Sequence, residues 1–464
     1  MLDKISRREN TIGFFLSFSL GAFLTEFIQG AYQAFGFFFY ETEIKLGVTL
    51  VTVAFSTLSL FKAITDPILG YFLDKPVKKF EKLGKSFTWI LISILPWFGS
   101  FILFYNTPRW SAESQQGLIF AWLLGSMLIY GFTFAIFSIN YFGMIPGKFK
   151  QDEARRKVQG FMGIGSFFGM LLGALIPTFI AEYENIRSYA TMSLIVVALA
   201  IIPLVGMIPG TYDPPAFRPT FTEHRSSKRE SFRKMIKFAL SHKNFRIVLL
   251  LSFTNQVIMS CVGGSLHYII KYIYLEDIDI AMFFYIGYFS GALIGSFVWV
   301  KIAQKINNTK LTYLVSGGLM LLTQIPMFFI QQFSFAIASV FLFPFSFCFA
   351  GFWSTLRVPL SSDTLDELAI DLGRRDNSTF IGLRSIFFQI GILFQSLIFG
   401  LVHILTGFDK DLTAQELSAE YGIIFLFVGV PIILEVITFL IFWKKYDLDP
   451  KKVQKIKEKI QTIP

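Results

Sequence analysis

The sequence is poor in charge, in cysteine and in histidine. Only 16% of its 464 residues are Asp, Glu, Lys or Arg, whereas about 25% is usual for a soluble domain, so a water-soluble globular protein is excluded. The two cysteines, Cys261 and Cys348, lie inside apolar runs and predict no disulfide framework. Only four histidines occur, and the sequence contains neither an HExxH nor a CxxC motif. We therefore expect no bound metal and no cofactor.

Apolar residues are abundant instead. They make up 53% of the chain, the mean hydropathy is +0.57, and apolar runs of about 20 residues, each long enough to cross a bilayer, recur along the whole sequence. The fold class predicted is an all-α membrane protein with twelve transmembrane helices. The apolar runs are 12–40, 47–73, 86–106, 116–146, 158–181, 187–208, 245–272, 280–304, 311–331, 333–360, 378–406 and 421–443. The first run is too long for a signal peptide and predicts a retained span.

Most connections between these runs are short, and the longest divides six spans from six. We predict an N-terminal six-helix half at 1–208, a central loop at 209–244, a C-terminal six-helix half at 245–445 and a tail at 446–464. Two such halves are the plan of a major facilitator fold, in which repeats surround a site near the middle of the membrane.

Positive charge is distributed unevenly over the connections. Lys and Arg number 42 against 32 Asp and Glu, and 34 of the 42 fall in the two terminal segments and in alternate loops. This bias predicts that both termini lie in the cytoplasm of a multi-pass cell-membrane protein. The same bias accounts for the formal net charge of +10, because the cytoplasmic Lys and Arg side chains can contact anionic lipid heads. No nucleic-acid partner is therefore expected.

The loop after the second span is basic, and so is the loop after the eighth. In a protein that works by alternating access, these loops are expected to act as cytoplasmic latches, with Asp74, Lys75 and Lys85 as the candidate residues. We expect a monomer.

A few ionisable residues lie deep in the spans, where their cost means that they usually face a bundle interior or a water-filled cavity. Glu26 has no partner in its own span, which makes it the first candidate for contact with substrate or proton. Lys62 and Asp66 are four apart and share a helix face, as a structural ion pair or as a working one. Arg384 can snorkel to the surface, and the other ionisable residues of this kind are His267, His403 and Glu435.

Uncharged polar residues in the spans alternate with aromatic ones. Tyr32, Tyr141, Phe142 and Asn255 belong to this group, as do Gln29, Gln33, Asn140, Gln256, Tyr268 and Trp353. Amides and carboxylates bind hydroxyl groups while aromatic faces stack on rings, so the mixture suits a carbohydrate, although aromatics at 17% of the chain also produce such neighbours by chance.

Several motifs resemble those of the glycoside-pentoside-hexuronide:cation symporters, the family of the melibiose carrier. The stretch Lys62-Ala-Ile-Thr-Asp66-Pro67 followed by a basic loop and Gly84-Lys85 is similar to that family's second-helix signature. The end of the seventh span, the loop with Gly373-Arg374-Arg375 and the tail from Tyr446 add further similarity, so the resemblance covers essentially the whole chain. It implies a sugar or glycoside as the small-molecule substrate.

The resemblance also assigns roles residue by residue. It implies that Glu26 is the first-helix acid that contacts the sugar and that Asp66 is a cation-site carboxylate, but the family's other second-helix carboxylate falls on Lys62. Ser138 replaces a further acidic residue and Phe142 a sugar-stacking tryptophan. A family arginine falls near Gly163 and a family lysine near Gln389. We therefore expect transport that is coupled to protons through Glu26 and Asp66, or uncoupled, with Lys62 as a tethered cation in place of sodium.

Two alternatives to a sugar transporter remain open from the sequence, and a third is not expected. The resembling family has lysophospholipid-carrying relatives with the same type of second-helix signature, so a lipid-like solute is one alternative. A non-transporting membrane sensor on the same fold is another. A membrane-embedded enzyme would need a convergent acid, base or metal constellation, and the few charges within the spans lie on separate helices, so no enzyme is expected.

Overall fold

A computed structural model describes residues 11–73, 84–149, 152–212, 232–373 and 377–460. All regular structure in these ranges is helical, and twelve helical segments are long and apolar enough to cross a membrane, which confirms the predicted fold class. We number them spans 1 to 12. Their bounds are Ile12–Glu43, Val48–Gly70, Lys85–Tyr105, Gln116–Gly143, Glu153–Thr178, Ile186–Thr211, Lys243–Tyr274, Ile278–Ile306, Thr309–Gln332, Phe335–Thr355, Gly382–Thr406 and Leu417–Lys445.

The chain forms two compact units. Unit 1 comprises Met1–Ser227 with Asp277–Asp279, and unit 2 comprises Lys228–Glu276 with Ile280–Pro464. In unit 1, span 1 packs on spans 5 and 6, and span 4 packs on spans 2 and 3. The α-helices of unit 1 are Ile12–Phe38, Val48–Leu73, Lys85–Tyr105, Gln116–Gly143, Ile145–Lys148, Asp152–Thr178 and Ile186–Thr211.

Unit 2 pairs span 8 with span 10, and span 7 with spans 11 and 12. Several of its spans change helix type along their length; span 12, for example, passes through a π-helical turn at Phe425–Gly429. The α-helices of unit 2 are Phe232–Ser241, Lys243–Tyr268, Ala281–Ile306, Thr309–Gln324, Phe335–Thr355, Ser361–Leu372, Asn377–Thr406, Leu417–Ile424, Val430–Lys445 and Pro450–Ile460.

Glycines at every fourth position allow the closest helix pairs to form. On span 5, Gly169 lies against the backbone of Phe23 in span 1, with Gly165 and Gly173 one turn away on either side. On span 8, Gly287, Gly291 and Gly295 lie in the same way against backbone carbonyls of span 10. Small residues at this spacing let backbones approach closely, which is how helices associate in lipid without a hydrophobic driving force.

Two polar helices of unit 2 lie outside the spans. We call Ser361–Leu372 the connecting helix and Pro450–Ile460 the tail helix. The two pack against each other. The tail helix also buries Ile456 in a core that contains Tyr313, Phe352 and Phe442, and Val453 packs against that core. The tail helix is thus anchored to the bundle of unit 2 by apolar contact.

Candidate functional site

The polar residues of span 1 meet aromatic residues of span 4 inside unit 1. The Tyr130 hydroxyl donates a hydrogen bond of 2.6 Å to Oε1 of Gln29, and the Tyr32 ring stacks on Tyr130 with centroids 4.4 Å apart. The Glu26 carboxyl group lies close enough to the Tyr130 hydroxyl to interact with it electrostatically. Positions 26, 29 and 32 recur every three residues, so they share one side of the helix. We call Glu26, Gln29, Tyr32 and Tyr130 the polar–aromatic cluster.

Lys62 of span 2 is directed towards span 4. Its ammonium nitrogen lies 5.1 Å from the centroid of the Phe134 ring, and its aliphatic stem passes beside Gly131, where a side chain would come within 3.6 Å of the stem. Phe134 is itself parallel to Tyr130, with ring centroids 6.3 Å apart. The positive charge is therefore held on an aromatic face, an arrangement worth about 0.5–2 kcal/mol, with the larger values where water is excluded.

Asp66 lies one helical turn beyond Lys62. One of its oxygens, Oδ1, is buried without a hydrogen-bond partner in the part of the chain that the structure describes. The two residues interact electrostatically, but among the described residues no salt bridge within 4.0 Å joins them. The i,i+4 spacing therefore gives the shared face that the sequence predicts, while the ammonium group contacts Phe134 instead of forming the predicted direct pair.

The other candidate residues of span 4 occupy different surroundings. The Tyr141 hydroxyl donates 2.6 Å to the carbonyl of Phe18 and its ring stacks on Phe18 at 4.9 Å, so Tyr141 packs span 4 against span 1. Ser138 bonds the carbonyl of Ala135 within its own helix at 3.2 Å. Phe142 is 44% exposed and contacts Tyr141 edge to face. The structure does not bring these three residues into the polar–aromatic cluster.

Unit 2 contributes one unusual polar residue, Asn255 of span 7. It is fully buried, and neither Oδ1 nor Nδ2 has a hydrogen-bond partner in the described ranges. The neighbouring hydroxyl of Thr254 is likewise buried without a hydrogen-bond partner among the described residues. Gln389 is half-buried in span 11. Because an unpaired buried amide costs free energy, Asn255 is a candidate for contact with a ligand.

Sequence reasoning missed Tyr130, Phe134 and Trp97. Trp97 of span 3 contacts Phe134 at 5.4 Å between ring centroids, and its centroid lies 6.4 Å from that of Tyr130. Tyr130, Phe134 and Ser138 are spaced by four, and that spacing places them on one face of span 4. This periodicity was available in the sequence, but the abundance of aromatic residues concealed it.

The candidate latch residues are only partly described. Asp74 and Lys75 lie outside the described residues, and Lys85 begins span 3 with a half-buried side chain. Across the described ranges, no group of three or more His, Cys, Asp or Glu residues could hold a metal ion.

An ionic cluster joins the tail helix to the connecting helix in unit 2. The Lys452 ammonium lies 3.2 Å from Glu367 and 3.0 Å from Asp447, and Nδ2 of Asn244 donates to both carboxylates, at 2.8 Å and 2.7 Å. His242 contacts Asp371 at 3.0 Å on the same side of the connecting helix.

These contacts set the protonation of the cluster. Partial burial raises the pKa of Asp447, but the hydrogen bonds from Asn244 and Lys452 outweigh it and hold that pKa below its ordinary value. Partial burial likewise lowers the pKa of Lys452, and its bonds to Asp447 and Glu367 outweigh that effect, so its pKa is raised. Burial raises the pKa of Asp363, which lies 4.0 Å from Lys457.

Comparison with known proteins gives a consistent result. A family model described as MFS/sugar transport protein matches residues 17–450. The inner membrane symporter YicJ of Escherichia coli (strain K12) is 22% identical over 457 residues, which cover 96% of this chain and 94% of YicJ. The inward-open xylose transporter XylE from E. coli is similar in structure with a TM-score of 0.65 and 13% identity, over 95% of this chain and 98% of XylE. The nucleoside transporter NupG is similar with a TM-score of 0.64 and 12% identity, over 93% and 100%.

Proposed function

This chain belongs to the MFS/sugar transport protein family, and from that membership we propose that it moves a sugar or glycoside across the cell membrane by alternating access. Its twelve spans make it a multi-pass membrane protein, and a family of transporters gives it a small-molecule substrate. The symporter YicJ, which it matches over 96% of its length, supports secondary transport. Two units of six spans are the architecture that alternating access uses.

The observation that carries the proposal is the hydrogen bond from Tyr130 to Gln29 beside Glu26. It fixes the Gln29 side chain so that its Nε2 can donate to a ligand, while Glu26 offers carboxylate oxygens that accept from hydroxyl groups. The Tyr32–Tyr130 stack keeps both positions rigid. A few polar groups fixed on an apolar, aromatic wall are typical of small-molecule sites. The hydroxyl groups of a sugar can bond to the polar groups, and its ring can stack on the aromatic wall. Within unit 2 we propose Asn255 and Gln389 as substrate-binding residues.

Proton coupling is the mode of energy coupling we propose, through Glu26 and Asp66. Lys62 interacts electrostatically with Asp66, and its ammonium group would repel a sodium ion there. Asp66 retains a buried oxygen without a hydrogen-bond partner in the described part of unit 1, and that oxygen can accept a proton. We also propose that the tail and the basic loops lie in the cytoplasm. Asp74, Lys75 and Lys85 are the proposed latch residues, and the proposed working form is a monomer.

The test is counterflow in proteoliposomes, with a panel of sugars and glycosides set against lysophospholipids. We expect counterflow of a sugar or glycoside that is faster at lower external pH and unaffected by replacing sodium with potassium. E26Q should abolish the pH effect, and E113Q, a matched change at an exposed glutamate of unit 1, should leave it intact.

Other outcomes of the same screen decide between the alternatives. Sodium-driven accumulation contradicts the coupling proposal, and counterflow of lysolipid alone contradicts the substrate proposal. Binding of a sugar without any counterflow identifies a sensor. Catalytic turnover of the added solute identifies an enzyme.

A further inference from the structure

A glutamate and a glutamine are buried together in unit 2. Glu435 of span 12 and Gln324 of span 9 are each 1% exposed, and Nε2 of Gln324 donates 2.8 Å to Oε2 of Glu435. Glu435 lies ten residues before Lys445, where span 12 ends, which corresponds to about 15 Å along the helix at about 1.5 Å per residue. The carboxyl group is thus deep in the span.

Two oxygens of this pair remain unsatisfied. Oε1 of Glu435 and Oε1 of Gln324 are both buried, and neither has a hydrogen-bond partner within the described ranges. Both are acceptors while the carboxyl group is ionised, so they cannot bond each other. A buried acceptor without a donor costs free energy, because it loses its hydration and gains no hydrogen bond. Burying a charge costs far more free energy.

Among the described residues, no positive charge compensates an ionised Glu435. In the described part of the chain, no Lys, Arg or His lies within 4.0 Å of it. The titratable groups that act on it from the neighbouring helices are Tyr313 of span 9 and Cys348 of span 10. Neither residue type carries a positive charge in any protonation state, so neither can stabilise a carboxylate as a counter-ion.

We propose that Glu435 is a proton-binding site, which holds a proton on Oε1 at neutral pH and donates it to Oε1 of Gln324. The two residues then form a closed ring of two hydrogen bonds, N–H to Oε2 and O–H to Oε1, that ties span 9 to span 12. A single proton removes the buried charge and satisfies both remaining acceptors. The site does not depend on the proposed transport function, and it belongs to a different unit from Glu26 and Asp66.

The test is infrared difference spectroscopy of the purified protein in lipid, wild type minus E435Q. The carbonyl stretch of a protonated carboxyl group lies above the amide I band and is separate from carboxylate bands. We expect E435Q to remove one such carbonyl band at about pH 6 and equally at about pH 8, well above the ordinary pKa of about 4.3 for Glu. A difference spectrum that contains only carboxylate bands overturns the proposal, and so does a carbonyl band that is lost by about pH 8.

The chain supplies a matched control. Glu420 and Gln331 form the same kind of pair between the same two spans, with Gln331 Nε2 2.9 Å from Glu420 Oε2, but both side chains are partly exposed. We expect E420Q to leave the carbonyl band of Glu435 in place.

Thermal stability provides an independent readout. An amide at position 435 can donate to Gln324 and accept from it, so it reproduces both bonds of the neutral acid. We therefore expect the Tm of E435Q within about 1 °C of the wild type, which in a chain of 464 residues corresponds to a change of about 1 kcal/mol or less. A loss of folding or a much lower Tm in E435Q contradicts the proposal, since it would mean that the negative charge is needed.

Discussion

The Cα atom of Gly169 lies directly against the backbone carbonyl of Phe23, so that a Cβ atom at position 169 would overlap the oxygen. Because the obstacle is backbone, it cannot move aside as a flexible side chain could. We predict that Gly169→Ala separates spans 1 and 5 and lowers the free energy of unfolding by about 1–3 kcal/mol, the usual cost of overpacking. The measurement is thermal unfolding in detergent or lipid.

Gly163→Ala, on the same helix, is the control for Gly169→Ala. A Cβ atom at position 163 meets nothing within 4 Å, so the change should leave stability unchanged or raise it by up to about 1 kcal/mol through helix propensity. Equal effects of the two substitutions would show that the close approach of spans 1 and 5 contributes nothing.

A second prediction concerns the hydroxyl of Tyr130. Tyr130→Phe keeps the ring stacked on Tyr32 but removes the 2.6 Å bond that fixes Gln29. We expect KM for the transported solute to rise about 5–10-fold, which corresponds to about 1–1.4 kcal/mol, with little change in maximal rate. The measurement is the initial rate of uptake against solute concentration.

Tyr141→Phe separates this effect from a general loss of packing. It removes a bond of the same length, to the carbonyl of Phe18, and should lower the Tm without changing KM. If Tyr130→Phe also lowers only the Tm, Gln29 has no part in substrate binding.

The sequence predicts the spans closely because each span follows from a local property, the length of an apolar run. The run at 116–146, for instance, becomes the span Gln116–Gly143. The pairing of residues on different helices is not local. The spacing of Lys62 and Asp66 predicts their shared face, but that the ammonium group contacts Phe134 depends on how spans 2 and 4 pack.

Some of the helix contacts that the sequence analysis did not predict have a signal in the sequence, and others have none. The glycine repeats 165–173 and 287–295 follow a simple spacing that predicts close helix contact. Nothing in the sequence, in contrast, connects Gln324 with Glu435, because their contact depends on the packing of spans 9 and 12 across more than a hundred residues.

A third prediction concerns pH and the tail helix. The pKa of Asp447 is lowered in the folded protein, so the group contributes stability above its unfolded pKa of about 3.9 and loses that contribution as the pH falls through the folded value. Because Asp447 is half exposed, we expect about 0.5–1 kcal/mol. In Asp447→Asn, amide hydrogen exchange of the tail helix should be about 2–5-fold faster at neutral pH.

The pH dependence distinguishes this charge effect from a loss of packing. At a pH below the lowered pKa of Asp447 the wild-type carboxyl group is protonated as well, so the two proteins should exchange at the same rate. Glu458→Gln, an exposed change in the same helix, should have no effect at either pH. A difference in exchange that persists at low pH would contradict the electrostatic account of the cluster.

The last prediction uses the unpaired amide of Asn255. Asn255 is fully buried, and in the described ranges neither polar atom of its side chain has a partner, a state that costs about 1–3 kcal/mol. Leucine has the same branched arrangement of side-chain heavy atoms and no polar atoms, so Asn255→Leu should raise the Tm by a few degrees. If the unpaired amide exists to bind substrate, the same substitution should reduce uptake at least tenfold, or about 1.4 kcal/mol.

Asn140→Leu is the matched control, because Asn140 is buried but donates a hydrogen bond of 2.8 Å to the carbonyl of Ile136. This variant should gain no stability. A gain in Tm together with undiminished uptake in Asn255→Leu would exclude Asn255 from the substrate site.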